Sequence, residues 1–150
     1  MPLKCIKSLY SIFFLLSLVI TFGCKSKLIE ITEEYYPDGS PEIVRAYREI
    51  NGRKELVLET YYYPNHNKKI EGEYKNGKKH GKWTAWFENG NIQSEGFFKE
   101  GLNHGIRKVY YENGNKYYEG MYKNGKSVGE WTFYDINGNV EKKVNFDITK

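Results

Sequence analysis

Residues 72–95 read GEYKNGKKHGKWTAWFENGNIQSE, and the next two stretches of 24 residues, 96–119 and 120–143, align with them without a gap. Each stretch opens on glycine and carries three more glycines at matching positions, so twelve of the 15 glycines are in register. We assign these glycines to turns and close packing; they are Gly72, Gly77, Gly81, Gly90, Gly96, Gly101, Gly105, Gly114, Gly120, Gly125, Gly129 and Gly138. A fixed period indicates one supersecondary unit copied along an axis, each copy covering the apolar face of its neighbour.

Degenerate copies of the repeat lie on both sides of the regular blocks. Residues 62–67 lie one period before residues 86–91, and residues 35–39 precede them by a longer interval of 27 residues. Residues 144–146 begin another copy. About five units therefore fill residues 29–150, and their irregular outer members are typical of caps.

Asn-Gly pairs predict the hairpins of the repeat. Asn89-Gly90 lies between segments rich in aromatic and β-branched residues, where a two-residue type I′ turn requires positive φ at both positions. This register pairs Glu88 with Asn91, Phe87 with Ile92, Ala85 with Ser94, and Trp83 with Gly96. It places the Trp83 ring over Gly96. The other connection, residues 76–81, is expected to be longer and polar, so the fold class is all-β, an antiparallel meander with two strands per repeat.

Strand alternation separates two faces. Trp83, Ile92 and Phe98 share the expected packed face with Trp131 and Val140, and Arg107 and Asp135 intrude on it. The opposite face is polar, but one aromatic recurs there at the period of the repeat. These candidate binding residues, which we call the aromatic ladder, are Tyr62, Trp86, Tyr110 and Tyr134. Their spacing of two strands predicts a row about 30 Å long. Either shielding of a thin sheet or binding explains such a row, and the two are compatible.

The N-terminus is typical of an export signal. Lys4 and Lys7 precede an apolar run of about 14 residues, which is shorter than a membrane-spanning helix. The run ends at Gly23-Cys24 in a sequence that resembles a bacterial lipobox. That resemblance implies a signal peptide over 1–23, lipid on Cys24, and a lipidated tether over 24–28. An ordinary cleaved signal and an uncleaved anchor are the alternatives.

The expected location is the cell envelope. Lys25 follows the lipid site where enteric bacteria would read aspartate as an inner-membrane signal, which favours the outer membrane. The only cysteines are Cys5 and Cys24, so the mature chain is predicted to have no internal disulfide.

The repeat resembles the MORN repeat (membrane occupation and recognition nexus) in its bacterial variant. The residues that carry the resemblance are Gly72, Tyr74, Gly77, Gly81, Trp83, Trp86 and Gly90. The resemblance is strong over 72–143 and weak over 29–71. Arg107 replaces the tryptophan of the second block and His66 replaces a glycine, so local irregularity is expected in those two units. It implies an elongated, single-layer, curved β-meander that contacts proteins or lipid. Many bacterial members are labelled antitoxins.

Composition and spacing argue against several functions. A formal charge of +4 is dispersed along the chain and predicts no nucleic-acid binding. His80 and His104 occupy one repeat position, but equivalent positions lie about 10 Å apart, too far to share a zinc ion. No nucleophile elbow or phosphate loop is present in the sequence. We therefore predict no enzyme activity, no cofactor and no metal.

Three functions remain open at this point. The first is a membrane-anchored lipoprotein whose repeat surface binds an unknown protein partner, with Cys24 holding it to the membrane. The second is an antitoxin or immunity-type protein, and the third is cell-wall glycan binding through the ladder. Open sheet edges also make an edge-to-edge homodimer plausible.

Overall fold

A computed structural model describes residues 27–147 as one open antiparallel sheet of 11 strands. The strands are β1 (Leu28–Tyr35), β2 (Pro41–Ile50), β3 (Arg53–Tyr62), β4 (Lys68–Lys75), β5 (Lys78–Trp86), β6 (Ile92–Lys99), β7 (Leu102–Asn103), β8 (Gly105–Tyr110), β9 (Lys116–Lys123), β10 (Lys126–Tyr134) and β11 (Val140–Asn145). They lie in chain order, and β7 is a short segment that pairs with β6. The prediction of an all-β, curved antiparallel meander is confirmed.

The predicted signal peptide (1–23) and Cys24 lie outside the described residues. Strand β1 begins at Leu28, the last residue of the predicted tether. Between residues 27 and 147 there is no helix long and apolar enough to cross a membrane.

The type I′ turn lies at the connection that was expected to be longer. Asn76 and Gly77 both have positive φ, 52° and 70°, and the strands pair up to Lys75 and Lys78 on either side. The same two-residue geometry recurs at residues 51–52, 100–101 and 124–125. The prediction of a longer polar loop over 76–81 is therefore wrong, because the strand resumes directly after the turn.

The connection at Asn89-Gly90 is a three-residue loop and not the predicted two-residue turn. Gly90 has φ of 88° and donates its N–H to the Phe87 carbonyl oxygen, and the Phe87 N–H bonds to Asn91. Asn89 does not have a positive φ, and its Oδ1 accepts a hydrogen bond from the Asn91 N–H at 2.9 Å. This is a type I turn followed by a glycine bulge.

The extra residue of this loop changes the pairing next to it. Trp86 pairs with Ile92, which replaces the predicted pairing of Phe87 with Ile92 and of Glu88 with Asn91. The predicted pairs of Ala85 with Ser94 and of Trp83 with Gly96 are confirmed. Ile92 and its counterpart Val140 consequently lie opposite ladder residues and are exposed, contrary to the expectation that they pack.

The loop at residues 63–67 has the same form although it lacks the glycine. His66 takes φ of 67° at the position of Gly90, and the two hydrogen bonds that close the loop are present. The expected irregularity is wrong here: His66 is held in a left-handed conformation that glycine adopts more easily.

Tryptophan rings form the centre of the packed face. Trp83 and Trp131 are buried, and the Trp131 ring contacts those of Tyr118, Tyr122 and Phe146 at centroid distances of 5.5, 5.0 and 5.4 Å. Position 59 is one period before Trp83 and holds a buried Glu59. An ion pair of 2.8 Å with Arg45 and a 3.1 Å hydrogen bond from the Tyr74 hydroxyl satisfy this carboxylate.

Each ring covers the glycine of the preceding strand. The Trp83 backbone pairs with both Gly72 and Gly96, and its indole lies over Gly72 and not over Gly96. Trp131 lies over Gly120 in the same way, and Gly96 faces the side chain of Arg107. The glycines thus leave room for the rings, on the side opposite to the one expected.

Candidate interaction face

The aromatic ladder lies along one end of the sheet. Tyr62, Trp86, Tyr110 and Tyr134 are each the last residue of their strand, on β3, β5, β8 and β10. Each lies at a register shift just before a three-residue loop. All four side chains are half-buried.

Hydrogen bonds from the preceding loop hold the backbone of the ladder. The Tyr63 hydroxyl donates to the Trp86 carbonyl oxygen at 3.0 Å, and the Tyr111 hydroxyl donates to that of Tyr134 at 3.0 Å. The residue equivalent to Tyr63 before Tyr110 is Phe87, which has no hydroxyl to donate. Successive loops are also joined, because Asn67, Asn91 and Asn115 each donate their side-chain amide to a carbonyl oxygen of the next loop. These contacts couple one repeat to the next.

Carboxylates of the intervening strands engage the ladder hydroxyls. Glu119 accepts hydrogen bonds from Lys116 at 2.9 Å and from the Tyr134 hydroxyl at 2.8 Å, and these bonds lower the pKa of Glu119. The same carboxylate raises the pKa of Tyr134. Two strands earlier, a 2.6 Å ion pair with Lys82 lowers the pKa of Glu95, and the Tyr110 hydroxyl donates to Glu95 at 3.4 Å. The ladder is therefore part of a charged, internally compensated network.

Lysines lie over two of the four rings. Lys68 Nζ is 5.9 Å from the Trp86 ring centroid, and Lys116 Nζ is 5.2 Å from that of Tyr134. Among residues 27–147 no two ladder rings are in contact, as expected for positions two strands apart. The ladder offers separate amphipathic side chains and not a continuous aromatic surface.

A second group on this face was missed by the sequence reasoning. Phe97 on β6, Ile106 on β8 and Met121 on β9 are 47%, 49% and 47% exposed. We call these three residues the central apolar patch. The sequence contains a signal for this patch, because apolar residues stand where neighbouring repeats have charged or amide side chains. Those side chains are Glu73, Lys82, Glu130 and Asn145.

The histidines do not form a metal site in the described part of the chain. Nδ1 of His80 and Nδ1 of His104 are buried without a hydrogen-bond partner there. No group of three His, Cys, Asp or Glu side chains in residues 27–147 is arranged to hold a metal ion. A groove of about 430 Å³ lies near the N-terminal edge, where Leu28, Leu56 and Tyr74 line it together with His80.

Three stretches of the chain match a known repeat family. Residues 79–100, 103–124 and 127–147 match the MORN repeat variant, with segments spaced by the same 24 residues as the glycines. MORN repeats are generally modules for contact with proteins or membranes. The match begins at residue 79, within the first regular block, and does not extend to the degenerate copies before residue 72.

Three solved structures are weakly similar to this chain. A crystal structure of TarM is 17% identical, with a TM-score of 0.45, over 79% of this chain and 21% of that one. An S. aureus TarM mutant in complex with Fondaparinux, alpha-GlcNAc-glycerol and UDP is 18% identical, with a TM-score of 0.32, over 82% of this chain and 20% of that one. A crystal structure of accessory secretory proteins 1, 2 and 3 of Streptococcus pneumoniae is 17% identical, with a TM-score of 0.37, over 61% of this chain and 17% of that one. The chain thus spans about a fifth of these structures, and a search of curated proteins finds no match.

Proposed function

We propose that this protein is a non-enzymatic, membrane-anchored lipoprotein of the cell envelope whose ladder face binds a protein partner. The observation that carries the proposal is the composition of that face. Half-buried tyrosine and tryptophan side chains lie on it between ion pairs that the sheet already satisfies. Tyr and Trp are enriched at protein interfaces because they combine a large apolar area with a polar tip.

The architecture supports binding through a sheet face. Extensive contacts in the described chain join neighbouring strands only, so the sheet has no second layer there to cover the ladder face. Repeat sheets of this kind present long, regular surfaces to partners. Hydrogen bonds between successive loops keep the ladder residues in fixed positions before any partner binds, which lowers the entropy lost on binding.

The anchor is proposed to be the lipid on Cys24. Three residues separate Cys24 from Leu28, the first residue of β1, and the four steps of extended chain between Cys24 and Leu28 span at most about 14 Å. Edge strand β1 would therefore lie close to the membrane surface, with the later repeats extending away from it. Lys25 favours the outer membrane.

Intact-mass analysis of membrane-extracted protein tests the anchor. The wild-type chain should start at Cys24 and carry the mass of the acyl chains, and the Cys24→Ser variant should lose both the lipid mass and the membrane association. A Cys24→Ser chain that stays in the membrane fraction would contradict the assignment.

In-cell crosslinking followed by affinity capture tests the binding face. Alanine at Trp86 and Tyr110 together should abolish capture of the partner, because both substitutions remove contact area from the middle of the ladder. Alanine at Tyr35 and Tyr117 is the matched control, since these aromatics are exposed but lie outside the ladder. Undiminished capture by a folded Trp86/Tyr110 variant would refute the proposal, and sedimentation with purified cell wall would favour glycan binding instead.

A further inference from the structure

The central apolar patch lies on three neighbouring strands of the ladder face. Ile106 pairs directly with Met121 across β8 and β9, and Phe97 pairs with Lys82 across β6 and β5. Phe97 also lies beside Gly105 of β8, since a Cβ at Gly105 would be 3.7 Å from the Phe97 Cβ. Adjacent strands are about 4.8 Å apart, so the three side chains form one continuous group about 10 Å across.

The fold does not require apolar residues at these positions. One period before Phe97 is Glu73, and one period after Met121 is Asn145. The positions equivalent to Ile106 are Lys82 and Glu130, and both lie in the same sheet with the same strand pairing. Packing therefore does not explain why apolar side chains are exposed at these positions of the second and third regular blocks. A contiguous exposed apolar group with a polar rim is typical of an interaction site.

The charges beside the patch give the chemistry of its partner. Each carboxylate at the rim is already paired: Glu95 with Lys82 at 2.6 Å, Glu119 with Lys116 at 2.9 Å, and Glu130 with Lys143 at 2.7 Å. Lys108 lies two residues from Ile106 on the same strand face and borders the same depression as Phe97.

Lys108 is a cation at the rim of the patch that lies between two carboxylates. Its backbone is in register with Glu95 on one side and Glu119 on the other. The charge of Lys108 contributes to lowering the pKa of Glu95 and of Glu119. Within residues 27–147, however, its ammonium group forms no ion pair of 4.0 Å or less, and each of those carboxylates is closely paired with another lysine. Its ammonium group is available to an incoming carboxylate.

We propose that the central apolar patch and Lys108 dock a protein partner that presents apolar side chains around an unpaired carboxylate. The inference rests on the proposed function and assigns the part of the ladder face that recognises the partner. A second copy of this chain fits the site poorly, because its own patch offers another lysine and only paired carboxylates. Complementary charge at such a rim sets the partner and its orientation, while the apolar contacts provide most of the affinity.

Site-specific photocrosslinking in cells tests the proposal. The photoreactive residue p-benzoylphenylalanine is placed at Ile106, and in a parallel strain at Trp86 on the ladder. The crosslinked segment of the captured protein is identified by mass spectrometry. We expect the Ile106 probe to reach one protein at a segment with an Asp or Glu next to apolar residues.

Charge reversal with the purified partner makes the test specific. Lys108→Glu should weaken binding at least about tenfold, and the opposite reversal of the partner carboxylate to Lys should restore it. Lys126→Glu is the control, since Lys126 is an exposed lysine beside a turn outside the patch. Replacing Phe97, Ile106 and Met121 by Glu, Lys and Asn, the residue types of the flanking repeats, should also abolish binding without unfolding the sheet.

The outcomes separate the two proposals. Crosslinks from Trp86 but not from Ile106 would overturn the docking site and leave the proposed function standing. Crosslinks from Ile106 to a second copy or to lipid would overturn the docking site as well, and so would an unchanged affinity of Lys108→Glu. No protein crosslink from either position would overturn both.

Discussion

Alanine at Gly120 should destabilise the sheet strongly, whereas alanine at the equivalent Gly96 should not. A Cβ at Gly120 would lie 2.1 Å from Trp131 Cδ2, where ordinary contacts are 3.4–4 Å. A Cβ at Gly96 would meet Arg107 Nη1 at 3.6 Å, which is such an ordinary contact. Neither glycine has a positive φ, so the backbone conformation itself accepts alanine at both positions.

The two variants should differ in stability because the Trp131 indole cannot move away from a new methyl group. To accept the new methyl group the indole must shift by more than about 1 Å, but Trp131 is only 5% exposed and is enclosed by four aromatic rings. Such overpacking costs about 1–3 kcal/mol, and replacing a strand glycine by alanine returns about 0.5–1 kcal/mol through backbone entropy. We expect Gly120→Ala to lose about 1–2 kcal/mol of unfolding free energy and Gly96→Ala to gain about 0.5–1 kcal/mol.

Urea unfolding followed by circular dichroism measures both values. A double variant isolates the cause: Trp131→Arg copies the Arg107 arrangement, and in that background Gly120→Ala should cost about 2 kcal/mol less than in the wild type. If Gly96→Ala and Gly120→Ala shift the midpoint equally, or if Trp131→Arg does not relieve Gly120→Ala, the indole is not what selects glycine at this position.

Three further changes test the loops and the titrating groups. His66→Gly should raise the unfolding free energy by about 1 kcal/mol, because it relieves a φ of 67°; a lower urea midpoint would contradict this. Burial, followed by the nearby Glu59, raises the pKa of Tyr74 to about 12. Between pH 10 and 12 the phenol ionises in the unfolded chain before it ionises in the folded one, so the wild type should lose unfolding free energy as the pH rises. The difference in unfolding free energy between the wild type and Tyr74→Phe should therefore become smaller over this range. A difference that stays constant with pH in urea melts would refute the reasoning. Hydrogen bonds, first from Lys116, lower the pKa of Glu119 below its ordinary 4.5. As the pH falls below that value the unfolding free energy of the wild type should decrease, and that of Glu119→Gln should decrease less steeply. If the two chains lose unfolding free energy equally steeply in acid, the Glu119 carboxylate does not stabilise the fold in this way.

Local pattern was sufficient for the repeat, the strands and most of the register. Glycines at a fixed period, with aromatic and β-branched residues between Asn-Gly pairs, predict an antiparallel meander, and the pairing of Trp83 with Gly96 follows from strand alternation. These features could be predicted because turn chemistry and period-2 alternation act over a few residues.

The type of each turn could not be predicted from its residues. Asn76-Gly77 and Asn89-Gly90 are the same dipeptide, yet only the first forms a type I′ turn. Asn89 instead caps its own loop through Oδ1, while the loop is joined to the next repeat by Asn91. The choice depends on how the flanking strands pair, which is a property of the sheet and not of the dipeptide.

The amino-acid sequence by itself determined the 24-residue repeat, the antiparallel strands and the positions at which aromatics recur. Only the tertiary structure decided which glycine each tryptophan covers and which side chains meet on the ladder face. A ring over Gly72 or over Gly96 satisfies the same strand pairing, and the space left by both neighbours selects between them. Phe97, Ile106 and Met121 likewise become one patch only when β6, β8 and β9 lie side by side, because the contact between them is made across strands and not along the chain.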